Sequence, residues 1–222
     1  MALISKYSLN GNANDLVWSN NWTALNVTWV DGKMNWWASF NGGSTSIRAT
    51  GISLPTGSSP YFIWWWFKLL SEIWSWTKTL FNLNPDATLQ DTIYVLDYEY
   101  NWWTRRLNYQ HYYNWPETYY TLTYNIALWT SVYHYIWINY TGSSMELYVD
   151  WLLVTSWWWS WTYWSNWPVT YNSWFTMWAT YALSVFGSYL DSIIDEVEVH
   201  NTSLNASEIK NKYLYYNGFY NV

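Results

Sequence analysis

The stretch Met145-Glu146-Leu147-Tyr148-Val149-Asp150-Trp151-Leu152-Leu153-Val154-Thr155-Ser156 decides the fold class. Met145, Leu147 and Val149 alternate with more polar neighbours, and successive side chains of a β-strand point to opposite faces. One face of this strand is therefore predicted to enter a core and the other to meet solvent. Asp150-Trp151 then stands where Asp-Gly would form a two-residue hairpin turn. The stretch predicts two antiparallel strands joined by a tight turn.

Short runs of the same kind recur along the chain and are separated by turn-forming residues. This pattern is typical of an antiparallel sandwich or barrel rather than of alternating strands and helices. We therefore predict an all-β fold, an antiparallel β-sandwich, with residues 1–222 as one domain. The predicted strands are 5–9, 24–29, 38–40, 46–48, 61–68, 78–83, 92–98, 105–110, 131–140, 145–149, 152–156, 175–179 and 193–200.

One short helix is predicted near the C-terminus. Asn205 is a good N-cap, and Glu208 occupies the capping-box position three residues later. Apolar side chains at helical spacing follow from Ile209 to Tyr216, and Gly218 predicts the end of the helix. This helix closes the sandwich.

The balance of tryptophan and glycine is unusual for a β-rich chain. Tryptophan occurs 24 times and glycine 9 times, although average usage predicts roughly 16 glycines in a chain of this length. In segment 156–168, neither strand nor helical periodicity buries so many indoles among Ser, Thr and Asn residues. With glycine in place of tryptophan, the segment becomes a flexible loop.

Two predicted turns also have tryptophan where glycine is expected. Asn21-Trp22 and Asp150-Trp151 stand where two-residue hairpin turns need positive φ, which glycine adopts and a bulky side chain resists. We hypothesise that the gene comes from a lineage that reads UGA as glycine, so that many of the tryptophans are glycine in the native protein. The alternative is a truly tryptophan-rich protein whose aromatic side chains form a core, an interface or sugar-binding platforms.

Composition excludes several classes of protein. The formal net charge is −6, and the nine Lys and Arg residues are scattered except for Arg105-Arg106, which argues against a nucleic-acid-binding surface. The absence of cysteine excludes disulfides and cysteine-based metal sites. Residues 1–6 lack the features of a secretory signal. The aromatic run 61–67 is far shorter than the ~20 residues of a membrane-spanning helix, so we expect no membrane insertion.

Several segments follow, in order, the pattern of a known family. They include residues 7–15, residues 31–42 and residues 62–68, the last of which places Trp66 where the family has a tryptophan. Residues 145–154 and 194–209 complete the pattern. Together they resemble the LamG-like jelly roll of the concanavalin A-like lectin and glucanase superfamily over nearly the whole chain. The chain departs from the family pattern at four positions where the family usually has glycine: Trp18, Trp22, Trp151 and Trp178.

The resemblance implies two antiparallel sheets packed face to face, one with a concave face of the kind that holds sugars in related proteins. Family members serve as adhesion, glycan-binding and spacer domains and also occur in enzymes, so the fold alone does not decide the function. A start at Met1 without a visible signal favours a separately encoded phage structural protein over a secreted adhesin, and a place on a virion or a cell surface is expected. The expected partners are a glycan or host cell surface and other virion or surface proteins.

The resemblance also implies a structural calcium ion between an early loop and the last strand. Calcium takes carboxylate and carbonyl oxygens, and the resemblance assigns the Asp195 carboxylate with Asn41 opposite it. The alternative is that Asp195 only forms hydrogen bonds with an adjacent loop. The three histidines lack the spacing of a metal site.

Catalysis would need a pair of carboxylates. Glycoside hydrolases place two of them roughly 5–10 Å apart. Related glucanases carry them on a strand with the pattern Glu-x-Asp-x-x-Glu. The nearest match in this chain is the segment 193–198, where Ile193 replaces the leading Glu. Glu196 with Glu198, and Asp97 with Glu99, each share a strand face, and we interpret both pairs as solvated surface. We predict no catalytic residue and no enzyme. A glycoside hydrolase or lyase is the alternative.

Glycan binding would use aromatic faces together with amide and carboxylate side chains. The 23 tyrosines exceed what a core absorbs with every hydroxyl satisfied, so several are expected on the surface. Those in the middle of the chain coincide with part of the superfamily's concave sheet. The predicted glycan-binding residues are Tyr98, Tyr100, Tyr109, Tyr112 and Tyr113.

Overall fold

The structure of the protein is a computed structural model. It describes residues 3–32, 35–50, 59–72, 77–84, 93–101, 104–113, 118–130, 132–158, 174–177, 180–182, 185–187 and 190–220. The described residues form mainly antiparallel strands and one helix, α1 (Ala206–Tyr220). The predicted all-β class with a C-terminal helix is confirmed. Most of the predicted loop at 156–168 lies outside the described residues.

Among the described residues, the first sheet has eight strands and includes both the first and the last of the described strands. Its strands are β1 (Leu3–Tyr7), β3 (Thr28–Gly32), β4 (Asn35–Asn41), β6 (Tyr61–Leu69), β11 (His134–Tyr140), β12 (Ser144–Val149), β13 (Leu152–Trp158) and β17 (Asp191–His200). Their order is β13-β12-β11-β6-β17-β4-β3, and β1 also pairs with β17. Strand β17 therefore links the N-terminus to the centre of the sheet.

The second sheet has seven strands in the part of the chain that the structure describes. They are β2 (Thr23–Leu25), β5 (Ser46–Thr50), β7 (Thr77–Asn84), β8 (Ile93–Asn101), β9 (Thr104–Tyr113), β10 (Thr118–Asn125) and β14 (Trp174–Met177), in the order β10-β9-β8-β7-β14-β5-β2. A small hairpin, β15 (Thr180–Ala182) with β16 (Val185–Gly187), completes the described strands. Strands β7 to β10 form consecutive antiparallel pairs.

The main core lies between the two sheets. Ile63, Trp65 and Phe67 of β6 enter it from the first sheet, and Leu96 and Leu107 enter it from the second. On the other face of the first sheet, α1 covers a second core. Its buried members are Trp37, Phe62, Trp64, Trp66, Tyr135, Trp137, Tyr148, Ile193, Leu204 and Ile209. The first sheet is therefore buried on both faces, which explains why β6 is apolar almost throughout.

The 145–156 hairpin forms as predicted, with one correction. Met145, Leu147 and Val149 enter the main core, and Asp150 and Trp151 form a two-residue turn between Val149 and Leu152. Both turn residues have positive φ, 49° and 68°. The opposite face is not solvated, however: Tyr148 is buried because α1 packs there.

The second predicted turn, at Asn21-Trp22, is wrong. Neither residue has positive φ. The Trp22 indole is buried and stacks on the Tyr7 ring, with ring centroids 4.0 Å apart. Here the chain enters the core before β2 begins at Thr23.

The helix begins as the sequence predicts and ends later. The Asn205 side-chain oxygen accepts hydrogen bonds from the backbone N–H groups of Ser207 and Glu208, and the Asn205 N–H donates to Glu208 Oε2 at 2.8 Å. This is the expected capping box. The helix continues through Gly218 to Tyr220. Within the described residues, the helix α1 lacks the length and apolar character needed to cross a bilayer.

Candidate functional site

The outer face of the seven-stranded sheet carries polar side chains on four neighbouring strands. Leu96 and Tyr98 of β8 and Leu107 and Tyr109 of β9 enter the main core, so the residues between them lie on the outer face. We use the term polar face for Thr79 of β7, Asp97 and Glu99 of β8, Arg106 and Asn108 of β9, and Thr123 of β10.

Strand register brings these residues together. Asp97 lies opposite Thr79 on one side and Asn108 on the other. Glu99 lies opposite Arg106, and Thr123 lies opposite Asn108. Side chains directly opposite each other on antiparallel strands have Cβ atoms about 5 Å apart. The polar face is therefore one continuous cluster.

Hydrogen bonds connect the cluster. The Arg106 guanidinium donates from Nε and Nη2 to the two Glu99 carboxylate oxygens at 2.9 and 3.0 Å, a bidentate geometry. The Asn108 amide also donates to Glu99 Oε2. Its own oxygen accepts from Thr123 Oγ1 at 2.9 Å. Thr79 Oγ1 donates to Asp97 Oδ1 at 2.8 Å. The side chains are thus held in fixed orientations.

The cluster has a buried part and an exposed part. Asp97 is 8% exposed, and Thr79 and Asn108 are also buried. The Glu99 and Arg106 side chains are 21% and 34% exposed, and Thr123 is exposed. A ligand at this face would meet Glu99, Arg106 and Thr123 first.

The two carboxyl groups of the cluster differ in environment. Burial raises the pKa of Asp97 to about 7, the Thr79 hydrogen bond opposes that rise, and the nearby Glu99 charge adds to it. The hydrogen bond to Glu99 raises the pKa of Arg106. Our interpretation of Asp97 and Glu99 as solvated surface is therefore wrong for Asp97, whose side chain is 8% exposed between Thr79 and Asn108 of the adjacent strands.

The structure corrects two of the five predicted glycan-binding tyrosines. Tyr98 and Tyr109 are buried in the main core, because they are in phase with Leu96 and Leu107. The Tyr98 hydroxyl accepts a hydrogen bond from the Leu128 N–H at 2.9 Å. A glycan on the surface cannot reach either ring.

The other three tyrosines have different outcomes. Tyr100 is half-buried against the main core, and the Arg105 guanidinium carbon lies 5.7 Å from its ring centroid. Tyr112 and Tyr113 belong to β9, but their side chains lie outside the described part of the structure. Their role in glycan binding stays a prediction.

A second polar cluster lies between the first sheet and the helix. Its centre is the Glu198 carboxylate, which is 4% exposed. We call this cluster the Glu198 centre. The groups that donate to Glu198 are Lys6 Nζ at 3.1 Å, Trp64 Nε1 at 2.9 Å, His200 Nε2 at 2.8 Å, Lys212 Nζ at 2.8 Å and Tyr216 OH at 3.2 Å.

The electrostatics of the Glu198 centre are those of a structural ion cluster. Burial alone would raise the pKa of Glu198, but hydrogen bonds from His200, Lys212 and Trp64 hold it well below its usual range. Burial lowers the pKa of His200, so its ring is favoured in the neutral form. The carboxylate has its donors supplied from within the protein and offers little to a ligand.

We predicted that the paired carboxylates of β17, Glu196 and Glu198, are solvated surface, and this prediction is also wrong. The strand register shifts between Asp195 and Glu198, and Glu196 adopts positive φ of 47°. Both Glu196 and Glu198 form ion pairs with Lys6, at 2.9 and 3.1 Å. These carboxylates fasten β1 to β17.

The predicted calcium ligands do not lie together. Asp195 is buried, and its Oδ1 accepts a hydrogen bond from the Glu196 N–H at 2.9 Å. Asn41 pairs with Asp191, four residues from Asp195 along β17, a separation of about 13 Å at the usual strand rise. The Asn41 side-chain oxygen accepts from Gly43 N and Ser44 N within its own turn. A calcium ion bridging the two is not supported by this arrangement, and calcium binding itself stays a prediction.

The His134 ring is held within the protein by hydrogen bonds at both of its nitrogens. His134 Nε2 accepts from the Trp129 N–H at 3.2 Å, so its Nδ1, 2.8 Å from Asp150 Oδ2, donates to that carboxylate. Both ring nitrogens are thus engaged in a structural role. Among the residues that the structure describes, no group of three or more His, Asp or Glu side chains is placed to hold a metal ion.

Comparison with known proteins supports the fold. No family model matches the chain, and neither does any curated protein. Among solved structures, it is similar to domain 4 of AbnA, a GH43 extracellular arabinanase from Geobacillus stearothermophilus, in complex with arabinotriose. The TM-score is 0.65 at 17% identity, over 94% of this chain and 97% of that one. The chain is a jelly-roll β-sandwich.

Toxin binding domains share the same fold. The binding domain of Paraclostridial Mosquitocidal Protein 1 aligns with a TM-score of 0.71 at 14% identity, over 96% of this chain and 52% of that one. Botulinum neurotoxin type C, whose cell entry depends on interaction with two ganglioside molecules, aligns with a TM-score of 0.69 at 10% identity. The alignment covers 96% of this chain and 51% of that one. This chain spans about half the length of these toxin chains. At such low identity the likeness shows the fold alone.

Proposed function

We propose that the protein is a non-enzymatic, surface-exposed module that recognises glycans through the polar face. The observation that carries the proposal is the fixed array of Glu99, Arg106 and Thr123 above a buried layer of Asp97 and Asn108. Sugar hydroxyls both donate and accept hydrogen bonds, and sites that bind them hold polar side chains in preset orientations.

The comparisons support this proposal. Solved structures of the same fold include a domain in complex with arabinotriose and a toxin that depends on gangliosides. The LamG-like pattern of the sequence points the same way. We place the protein on a phage virion or a cell surface, where it would bind a host glycan and neighbouring surface proteins.

A carbohydrate-active enzyme is the second candidate, and the Asp97 and Glu99 pair favours it. A carboxyl with raised pKa close to a second carboxyl group is the arrangement that glycosidases use for acid and nucleophile. Here, however, both Glu99 oxygens accept from Arg106, and Asp97 is buried and bonded to Thr79. Both groups are therefore committed to the sheet, and we favour binding over catalysis.

A glycan array tests this proposal. The full chain should bind a subset of oligosaccharides, and Arg106→Gln should weaken that binding by about tenfold or more, as expected for the loss of a charge-assisted hydrogen bond. Lys210→Gln, an equal charge change on the exposed surface of α1, is the matched control and should bind normally. Product release from the bound oligosaccharides, abolished by Glu99→Gln in a folded protein, would instead show an enzyme.

A further inference from the structure

We infer that the polar face selects neutral glycans and rejects glycans that carry a carboxylate. This inference rests on the proposed function, because it names the class of glycan that the same face takes. It is carried by the charges that the sheet register places on this face.

The described residues of the polar face offer an incoming anion no free cation. The two carboxyl groups, Asp97 and Glu99, face a single guanidinium, that of Arg106. Arg106 is already paired with Glu99 through both of its hydrogen bonds. A glycan carboxylate at the exposed edge of Arg106 would be a third carboxyl group beside this single guanidinium, and its repulsion from Glu99 and Asp97 would offset its attraction to Arg106.

The other cations of the seven-stranded sheet do not change this balance. Arg105 forms an ion pair with Glu72 and lies opposite Tyr100. Lys78 lies opposite Tyr98, on the other face of the sheet. Arg48 is on β5, three strands from β8. That is about 14 Å at the usual strand spacing, which exceeds the Debye length of about 8 Å at physiological ionic strength.

Neutral sugars fit the same chemistry. Their hydroxyl groups can donate to the carboxylate oxygens of Glu99 and accept from the exposed edge of Arg106 without breaking the pair. The Thr123 hydroxyl, which donates its proton to Asn108, adds a hydrogen-bond acceptor. The net charge of −6 on the whole chain further disfavours the approach of an anionic polymer.

Matched oligosaccharide pairs test the inference on the full chain. The probes are lactose with sialyllactose, galactotriose with trigalacturonic acid, and arabinotriose as a further neutral ligand. All are measured by calorimetry at about 0.15 M salt and at about pH 8, above the Asp97 pKa of about 7. At least one neutral member should bind, and its acidic partner should bind about tenfold or more weakly.

A charge-removing variant supplies the second arm. Asp97→Asn combined with Glu99→Gln keeps the shape of both side chains and leaves Arg106 without its carboxylate partner. The preference for neutral over acidic glycans should shrink by about tenfold. Asp31→Asn, which removes an exposed charge from the other sheet, is the control and should keep the wild-type preference. Melting curves of each variant check folding.

The outcomes separate the two proposals. Preferential binding of an acidic member that Arg106→Gln abolishes would overturn the neutral class and leave glycan binding at this face intact. Glycan binding that Arg106→Gln and the double variant leave unchanged would overturn both, as would the absence of binding to any oligosaccharide, both here and on the array.

Discussion

Lys212 Nζ of the helix lies 2.8 Å from Glu198 Oε2 of β17, and this ion pair joins the last two elements of the chain over a buried aromatic layer. Lys6 of β1 reaches the same carboxylate at 3.1 Å. The N-terminus, the last strand and the helix are therefore held at one point. Without Lys212, the carboxylates of Glu196 and Glu198 would share Lys6 alone, and a buried carboxylate that lacks its full set of cations is costly.

We expect Lys212→Met to lower the free energy of unfolding by about 3 kcal/mol. The methionine retains most of the apolar stem, so the loss reports on the charge. Urea denaturation followed by tryptophan fluorescence measures it. Lys210→Met, two residues away, removes only an exposed cation stacked on the Trp151 ring and should cost less than about 1 kcal/mol. Equal costs for the two variants would show that the Glu198 centre contributes little.

The raised pKa of Asp97 predicts a pH dependence of stability with a definite sign. The pKa of this carboxyl rises from an ordinary value of 3.8 to about 7 in the folded protein, so between these values the folded state holds a proton that the unfolded state has released. The free energy of unfolding should therefore fall as the pH rises through this range, by up to about 1.4 kcal/mol per pH unit from this group.

Asp97→Asn isolates that contribution. The amide oxygen keeps the Thr79 hydrogen bond and does not ionise, so the variant should match the wild type near pH 4 and exceed it in stability at neutral pH. The difference between the two curves is the readout, because the lowered pKa of His200 gives the opposite slope in an overlapping range in both proteins. Parallel curves would mean that Asp97 ionises normally in the folded protein.

The hairpin turn at Trp151 gives a test of backbone strain. At φ of 68° a residue with a Cβ atom is disfavoured relative to glycine. Trp151→Gly and Trp151→Ala both lose the indole, so their difference reports on the backbone alone, and the glycine variant should be more stable by about 1 kcal/mol. At Trp36, exposed within β4, the order should reverse, because glycine weakens a strand. The same order at both sites would contradict the turn geometry.

The turn also bears on the identity of the tryptophans. A glycine at position 151 would suit the observed backbone, as our UGA hypothesis expects. The native protein, purified from its own host, should then have a mass well below 26.8 kDa. A mass that matches the printed sequence would end the hypothesis and leave a truly tryptophan-rich protein.

Much of the fold could be predicted from the sequence because its strands show clear alternation and its helix has a full capping box. Strand β10 was missed because its Thr and Tyr residues hardly differ in polarity, so alternation is hidden. The second core was missed because no local pattern shows that α1 folds back over the first sheet. The burial of this face of the first sheet depends on tertiary packing against α1, which the residue pattern of the strands does not show.

The candidate site was only partly predictable. Asp97 and Glu99 stood out in the sequence as a pair, but Arg106, Asn108 and Thr123 join them only through strand register. The alternation of Leu96 with Tyr98, and of Leu107 with Tyr109, was a signal that would have placed both tyrosines in the core. Their chemical suitability for sugars outweighed it in our prediction.

The central claim, that the polar face binds glycans, is tested most directly by a nuclear magnetic resonance titration of the isotope-labelled full chain with arabinotriose and galactotriose. We predict that one of these neutral ligands shifts the backbone amide signals of Glu99, Arg106 and Thr123 and their strand neighbours, and that Arg106→Gln removes the shifts. Shifts confined to the helix and the eight-stranded sheet, with the polar face unperturbed, would contradict it.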